Sequence, residues 1–591
     1  MIVSALAVKT PLPGRFLLGA PLYAVLMLLL MGASWLVPIH FLPWVSWHSE
    51  FLAFLSMFLL AWFGLVQQLR QGGGSDVVAV PGAAFVFMGL ALIAIVQALT
   101  GLINFSGDAL IFNLYMVLCA MGLTLGFTAG KHLQRPAPRL VICDGQTALM
   151  VLAATLLTGA VASVIVAFVQ VMDVWDGVSW IARMPQLRRP GGNLGQPNQL
   201  ATLILMGLAS LVFLYESGKL ATWSGTLIFI VLGSGLAVTE SRTGVLSIVV
   251  LSVWWFVGRA RVSFRLSPWV VAMAVIGCLL MFWAWPAIEG LIQGMDAGAD
   301  VGVNTKAGTR LIVWPQLLDA LAMQPWWGWG IHQVAAAHNA VVHAYPVSEP
   351  FSYSHNIVLD LALGVGLPMA IFLVLLISVW LWRRVRSVQA LTPWYCLAAV
   401  LPVAVHSMLE FPFTYAYFLV PVMLLLGTLE ATSGVRPWLH VGARTAAVAL
   451  LLLSVLGLWS VVEYLNIEED FRVARFESMR IGQTPTAYER PQVHLLTQLG
   501  ALLEDARIIP KPGMSTSELE LAKKVALRYP WPATQNRYAL SLALNGNPEE
   551  AIRQMRVMRA MHGEKTYSEI KQNWITLGQD KYPRMKELQL P

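Results

Sequence analysis

Residues 147–170 read TALMVLAATLLTGAVASVIVAFVQ, a run with no charged side chain and few polar ones. About 20 apolar residues of helix cross the hydrocarbon core of a bilayer. A soluble enzyme can bury one such run, so recurrence decides the fold. Runs of this kind recur at 17–37, 51–67, 77–98, 108–129, 147–170, 199–215, 219–238, 243–258, 267–287, 357–382, 391–409, 412–428 and 445–462. The 591-residue chain is 57% hydrophobic and 12% charged, where a soluble domain carries roughly a quarter of its residues as charges. The runs are long and rich in Leu, Met and Ala, which suits helices; a barrel would need short alternating segments. The expected fold is an all-α polytopic membrane protein, a bundle of about twelve or thirteen helices.

Short-loop lysines and arginines orient such a bundle. Lys9 and Arg15 precede the first run, Arg70 follows the second, and Lys131, Arg135 and Arg139 follow the fourth. Lys219 lies between the sixth and seventh, Arg259, Arg261 and Arg265 follow the eighth, and Arg383, Arg384 and Arg386 follow the tenth. Arg436 and Arg444 come before the last. With thirteen spans all of these fall on one face, the cytoplasmic one, while loops 38–50 and 99–107 hold no Lys or Arg. The first run lacks a small-residue cleavage site and reads as a retained helix.

Three segments on the opposite face break the charge rule. Loop 171–198 holds Arg183, Arg188 and Arg189, and a tight turn holds Glu240-Ser241-Arg242. The long loop 288–356 holds Lys306, Arg310, His332, His338, His343 and His355. The cysteines make no case for a disulfide: Cys119, Cys278 and Cys396 lie inside runs and Cys143 on the cytoplasmic side. No paired metal-ligand spacing and no nucleotide-binding motif occurs. The net charge of +7 is spread over loops and tail, which fits topology and lipid-surface contact and leaves no nucleic-acid stripe.

After about Val462 the composition turns charged and amphipathic. Residues 534–560 predict two helices around Asn545-Gly546-Asn547-Pro548, the second with Ala551, Ile552, Met555 and Met558 on one face. This is like one tetratricopeptide-type hairpin, although an ordinary helical cap would look the same. The domains expected are a membrane body at 1–465 and a helical tail at 466–591, with the tail on the extracytoplasmic side.

The charged residues of that face suggest a chemistry. Arg242 stands where one helix ends and the next begins, a place that also suits an arginine snorkelling to headgroups. Arg310 falls in the first turn of a helix capped by Thr309, with Leu311, Trp314 and Leu318 as an apolar stripe and Pro315 as an interruption. A cation is unfavourable there unless an anion joins it. His355 stands at the lip of a run, between Ser354 and Asn356, where a helix cap is the plain alternative. Guanidinium forks suit phosphate oxygens, and imidazole accepts protons near neutrality. Together these point to a diphosphate-bearing substrate and a hydroxyl that needs activation or positioning. His406 and Glu410, one turn apart, form either a functional or a structural pair. Asn193, Gln196, Asn198 and Gln199 form a polar neck that either meets sugar hydroxyls or caps a helix. A lipid-linked glycan flippase is the rival class, but a transporter more often gathers its polar groups at mid-membrane.

Five segments carry a resemblance: GNLGQPNQLAT (192–202), AVTESRTGVLS (237–247), TRLIVWPQLLDALAMQPWWGWG (309–330), YSHNIVLDLALGVGLP (353–368) and HSMLEFPFTYAYFLVP (406–421). They resemble the bacterial O-antigen ligase superfamily, and within it the pilin and protein O-glycosylation ligases, the O-oligosaccharyltransferases. The resemblance implies a GT-C-like, metal-independent, inverting membrane glycosyltransferase without a cofactor. It implies a donor glycan on undecaprenyl diphosphate at the periplasmic face of the inner membrane. The acceptor would be a Ser or Thr hydroxyl of a protein, with lipid A–core or a growing glycan as alternatives. Carried over by motif, Arg242 and Arg310 would grip the diphosphate, His355 would be the essential histidine, and His406 a secondary contact.

Overall fold

The computed structural model describes residues 26–71, 77–134, 145–172, 179–183, 189–292, 308 and 310–591. Lys9, Arg15, Arg135, Arg139, Cys143, Arg188, Lys306 and Thr309 lie outside the described residues. Among the described residues, seven helices are long and apolar enough to cross a membrane: Trp47–Leu69, Ser106–Leu133, Gly145–Val171, Pro197–Glu216, Pro268–Ile292, Leu367–Ser387 and Ala443–Met479. Five shorter apolar helices, Ala84–Leu99, Thr222–Val238, Arg242–Gly258, Leu391–Ser407 and Ala416–Thr432, fall on five of the six remaining expected runs, and the first part of the sixth, 17–37, lies outside the described residues. The chain is an all-α polytopic membrane protein.

The described residues divide into two compact units. One is drawn from 1–88, 115–304 and 379–456. Its centre is the Pro197–Glu216 helix, 83% of whose apolar window is buried. The Gly145–Val171, Thr222–Val238, Arg242–Gly258 and Leu391–Ser407 helices pack around it. Peripheral helices instead turn large apolar side chains outward, Trp269, Leu280 and Trp283 among them. In water such a surface would be a liability; against lipid it is the expected outer face.

Two helices of this unit approach closely through small residues. Gly122, Gly126 and Gly130 recur every fourth position and face Met423, Leu424 and Thr428. A Cβ at Gly126 would sit 2.1 Å from the Leu424 carbonyl oxygen, and one at Gly427 would sit 2.1 Å from that of Leu123. Small residues replace hydrophobic driving force in lipid by letting backbones touch. Gly126→Val is expected to cost at least the upper end of the about 1–3 kcal/mol typical of overpacking, read as a lower midpoint of thermal unfolding in detergent. An unchanged midpoint would contradict this contact.

Two apolar runs are broken where periodicity predicted continuous helix. The run at 77–98 begins with a strand, Val77–Val80, paired antiparallel with Leu439–Gly442. Its helix starts only at Ala84, after Pro81 and Gly82. The run at 357–382 splits at Gly366 (φ 81°) into Ile357–Val365 and Leu367–Ser387. A Cβ at Gly366 would lie 2.2 Å from the Trp326 carbonyl oxygen. The Leu367 amide donates to Pro325 and the Trp329 amide to Leu363, so the segment Pro325–Gly330 takes up the backbone groups that the break releases. Its Trp326 and Trp327 are exposed.

The second unit is drawn from 89–114, 305–378 and 457–591. The Ala443–Met479 helix runs well past the change of composition at Val462, because helix propensity ignores polarity. Glu463 on it accepts from the amides of His494, Leu495 and Leu496, which lead into the Thr497–Ala506 helix. Thr516–Arg528, Pro532–Leu544 and Pro548–Asp580 follow, the last bent at Gly563. The turn expected at 545–548 is present, with Gly546 at φ 83° and Ala551, Met555 and Met558 buried.

Arg310–Met323 is one helix, and Pro315 does not interrupt it. Pro315 lies close to the N-terminus and forgoes a single backbone bond, while Val313, Leu317, Ala320 and Leu321 are buried. The buried face is therefore not the predicted one: Leu311 is 65% and Leu318 54% exposed. Apolar residues surround this helix, so periodicity had no unique face to select.

Candidate functional site

In the first unit the polar neck and the Ser-Arg turn form one network. Ser241 caps the Arg242–Gly258 helix, accepting from the Gly244 amide at 3.0 Å. Its hydroxyl donates to Asn198 Oδ1 at 2.7 Å, and Asn198 Nδ2 donates to Glu410 Oε1 at 3.3 Å. Asn198 thus ties three elements, and Arg242 stands exposed beside the joint. Gln199 is buried and accepts from the Tyr417 hydroxyl. Gln196 is the half-buried N-cap position of the Pro197–Glu216 helix and makes no side-chain cap bond. Asn193 is 2% exposed and holds the loop, donating to Leu36 and Trp180 carbonyls and accepting from the Ala182 amide. His406 Nδ1 lies 2.8 Å from the Thr202 hydroxyl, so His406 and Glu410 reach the Pro197–Glu216 helix through different partners, Thr202 and Asn198.

Sequence reasoning noted Arg189 as a breach of the charge rule but gave it no role. Its guanidinium donates to the Thr239 carbonyl (Nε 3.1 Å, Nη2 2.9 Å) and to that of Glu240 (3.0 Å). It therefore satisfies the C-terminal carbonyls of the Thr222–Val238 helix and supports Glu240, a non-glycine at φ 47°. Burial lowers the Arg189 pKa, the charges of Glu240 and Glu410 oppose that, and the like charge of Arg242 adds to it. Arg189, Glu240, Arg242 and Glu410 are thus close enough to feel one another's charge.

In the second unit His355 adopts φ 60° and stacks on Phe351, ring centroids 4.5 Å apart. Asn356 caps the Ile357–Val365 helix, accepting from the amides of Val358 and Leu359. Ser354 is fully buried: its amide donates to both Asp360 carboxylate oxygens at 3.1 Å and its hydroxyl to Oδ2 at 2.8 Å. Trp314 Nε1 donates to the Ser354 carbonyl at 2.7 Å. Arg310, half-buried, opens the helix that carries Trp314. His338 is a core residue, bonded to Gln316 and Ser348, and burial pushes its imidazole down to about 4.

Burial also raises Asp360 to about 6, against hydrogen bonds from Ser354 and the charge of His355. A carboxyl whose folded pKa exceeds its unfolded value binds more protons in the folded state. Its ionisation therefore costs stability, which is fully present below the usual carboxylate range and lost as pH rises through about 6. Asp360→Asn is expected to flatten the pH dependence of thermal stability between about 4 and 6; identical profiles would contradict this.

A second cluster of this unit was not foreseen. Asp108, 2% exposed, receives Arg528 through Nε (3.0 and 2.9 Å) and Nη2 (2.9 Å). His332 Nδ1 lies 3.9 Å from the same carboxylate, and its ring meets Phe112 and Tyr353 edge-on.

Three protein families match the chain: protein glycosylation ligase at 190–215, O-antigen ligase at 226–374, and the C-terminal part of virulence factor membrane-bound polymerase at 394–574. Over 551 residues the chain is 25% identical to a general O-oligosaccharyltransferase of Acinetobacter baylyi, covering 91% of this chain and 92% of the relative. The chain is similar to the O-antigen ligases and the protein O-glycosylation ligases. A ComP-specific O-oligosaccharyltransferase of the same organism is 29% identical over 248 residues, 41% of this chain and 44% of the relative. The Asn198–Ser241–Arg242 joint lies within the two ligase matches, as do Arg310 and His355.

Proposed function

We propose that this protein moves a glycan en bloc from a lipid diphosphate, undecaprenyl diphosphate, to Ser or Thr hydroxyls of a periplasmic or pilin-like protein. The similarity to a general O-oligosaccharyltransferase along nearly the whole of both chains carries this reading. The acceptor hydroxyl attacks the anomeric carbon, the bond from that carbon to the diphosphate oxygen breaks, and configuration inverts. Undecaprenyl diphosphate leaves with the electron pair, and the hydroxyl proton passes to His355 or to the departing phosphate. Arg242 and Arg310 would neutralise the charge that grows on the diphosphate, without a metal. The enzyme would sit in the inner membrane with its catalytic face and its tetratricopeptide-like tail, 466–591, in the periplasm.

A polymerase reading draws on the match at 394–574. Intact-mass spectrometry of the acceptor separates the two. En bloc transfer predicts one mass step equal to the whole donor glycan. A ladder of repeat units built on a lipid, with unmodified protein, would overturn the proposal in favour of polymerisation.

A further inference from the structure

Resting on that reading, we infer that Asp360 and Trp314 are positioning residues, which hold the backbone of buried Ser354 from two sides, one at its amide and one at its carbonyl, and thereby aim the His355 imidazole. His355 is not a glycine, yet it stands at φ 60°, in the left-handed region that side chains with a Cβ adopt only at a cost. Such strain persists only where the surroundings over-determine it. Here they do. Both carboxylate oxygens of Asp360 take the Ser354 amide, Oδ2 also takes its hydroxyl, and that hydroxyl is 2.9 Å from the Asn356 carbonyl oxygen, closing the turn around His355. From the other side the Trp314 indole holds the Ser354 carbonyl. Trp314 lies in the helix that Arg310 opens, and Asp360 in the helix that Asn356 caps. One residue, through its amide and its carbonyl, thus registers the arginine helix against the histidine turn. The Phe351 ring, stacked on the imidazole, removes a further degree of freedom.

None of the clamp residues needs to touch substrate. Their removal should leave donor binding in place and slow the chemical step, because a misplacement of about 1 Å at a reacting group costs up to about 100-fold.

The test uses the full-length protein in lipid and counts donor-binding sites with an undecaprenyl-diphosphate glycan. Turnover per occupied site is then measured for wild type, Asp360→Asn, Trp314→Phe and His355→Ala. Asp360→Asn places an amide group against the Ser354 donors, and Trp314→Phe deletes one N–H while keeping an aromatic ring. The clamp predicts a fall of about 10- to 100-fold in turnover per site for both, with donor affinity within about twofold of wild type, and partial recovery in Asp360→Glu. Wild-type turnover per site in both variants, with His355→Ala inactive, overturns the clamp alone. Loss of donor sites in proportion to lost activity would make these residues merely structural and also overturns it. Full activity in His355→Ala overturns the functional reading itself, and the clamp with it.

Discussion

Replacing Arg242 with alanine is expected to lower glycan transfer by about 100- to 1000-fold, with the protein still made and folded. Arg242 is exposed, and Ser241, not Arg242, caps the helix. The joint of Asn198, Ser241 and Glu410 survives the substitution. What disappears is a fixed positive charge, next to Arg189, whose own guanidinium is committed to the Thr239 and Glu240 carbonyls. In the proposed reaction the diphosphate leaves, so a charge placed before the event lowers the barrier more than one recruited during it. Arg310→Ala is expected to behave likewise. Lysine at either position should recover only part of the rate, since it cannot present two parallel donors. Initial rates with a purified lipid-linked glycan measure the effect, and near-wild-type rates for Arg242→Ala would remove the arginine from the mechanism.

The second large effect falls on stability. Arg528→Ala leaves the Asp108 carboxylate buried with its bidentate partner gone. Breaking a buried ion pair from one side costs about 3–5 kcal/mol, a drop of roughly 10 °C in the unfolding midpoint of a unit this size. The double variant Asp108→Asn with Arg528→Met should regain much of that loss, because no charge is then stranded. A midpoint for Arg528→Ala equal to wild type would mean that the pair contributes nothing.

The helices were legible because lipid imposes one rule, an uninterrupted apolar run, and composition alone reports it. Their breaks were not. Val77–Val80 is as apolar as the helix after it, and only its pairing with Leu439–Gly442, far along the chain, makes it a strand. The break at Gly366 is set by the close approach of Trp326. The face of the Arg310–Met323 helix was misread because its exposed side, with Leu311, Ile312 and Leu318, is as apolar as its buried side. Among site residues, the placement of Arg242 at a helix start and of His355 at the lip of a helix followed from local pattern, but the helix cap is Asn356 and not the histidine. Asp108 and Arg528 stand 420 residues apart and leave no signature in sequence. Arg189 did leave one, an arginine on the face otherwise poor in them. Asp360 left a weaker one, an acid in the first turn of a helix just after the histidine.

The measurement that bears most directly on the central claim is an in vitro transfer assay with the purified protein in liposomes. The donor is an undecaprenyl-diphosphate glycan, and the acceptors, offered separately, are a pilin-like protein and lipid A–core. Wild type is expected to place glycan on Ser or Thr of the protein, and His355→Ala none. Product on lipid A–core alone, or equal product from both enzymes, would contradict that claim.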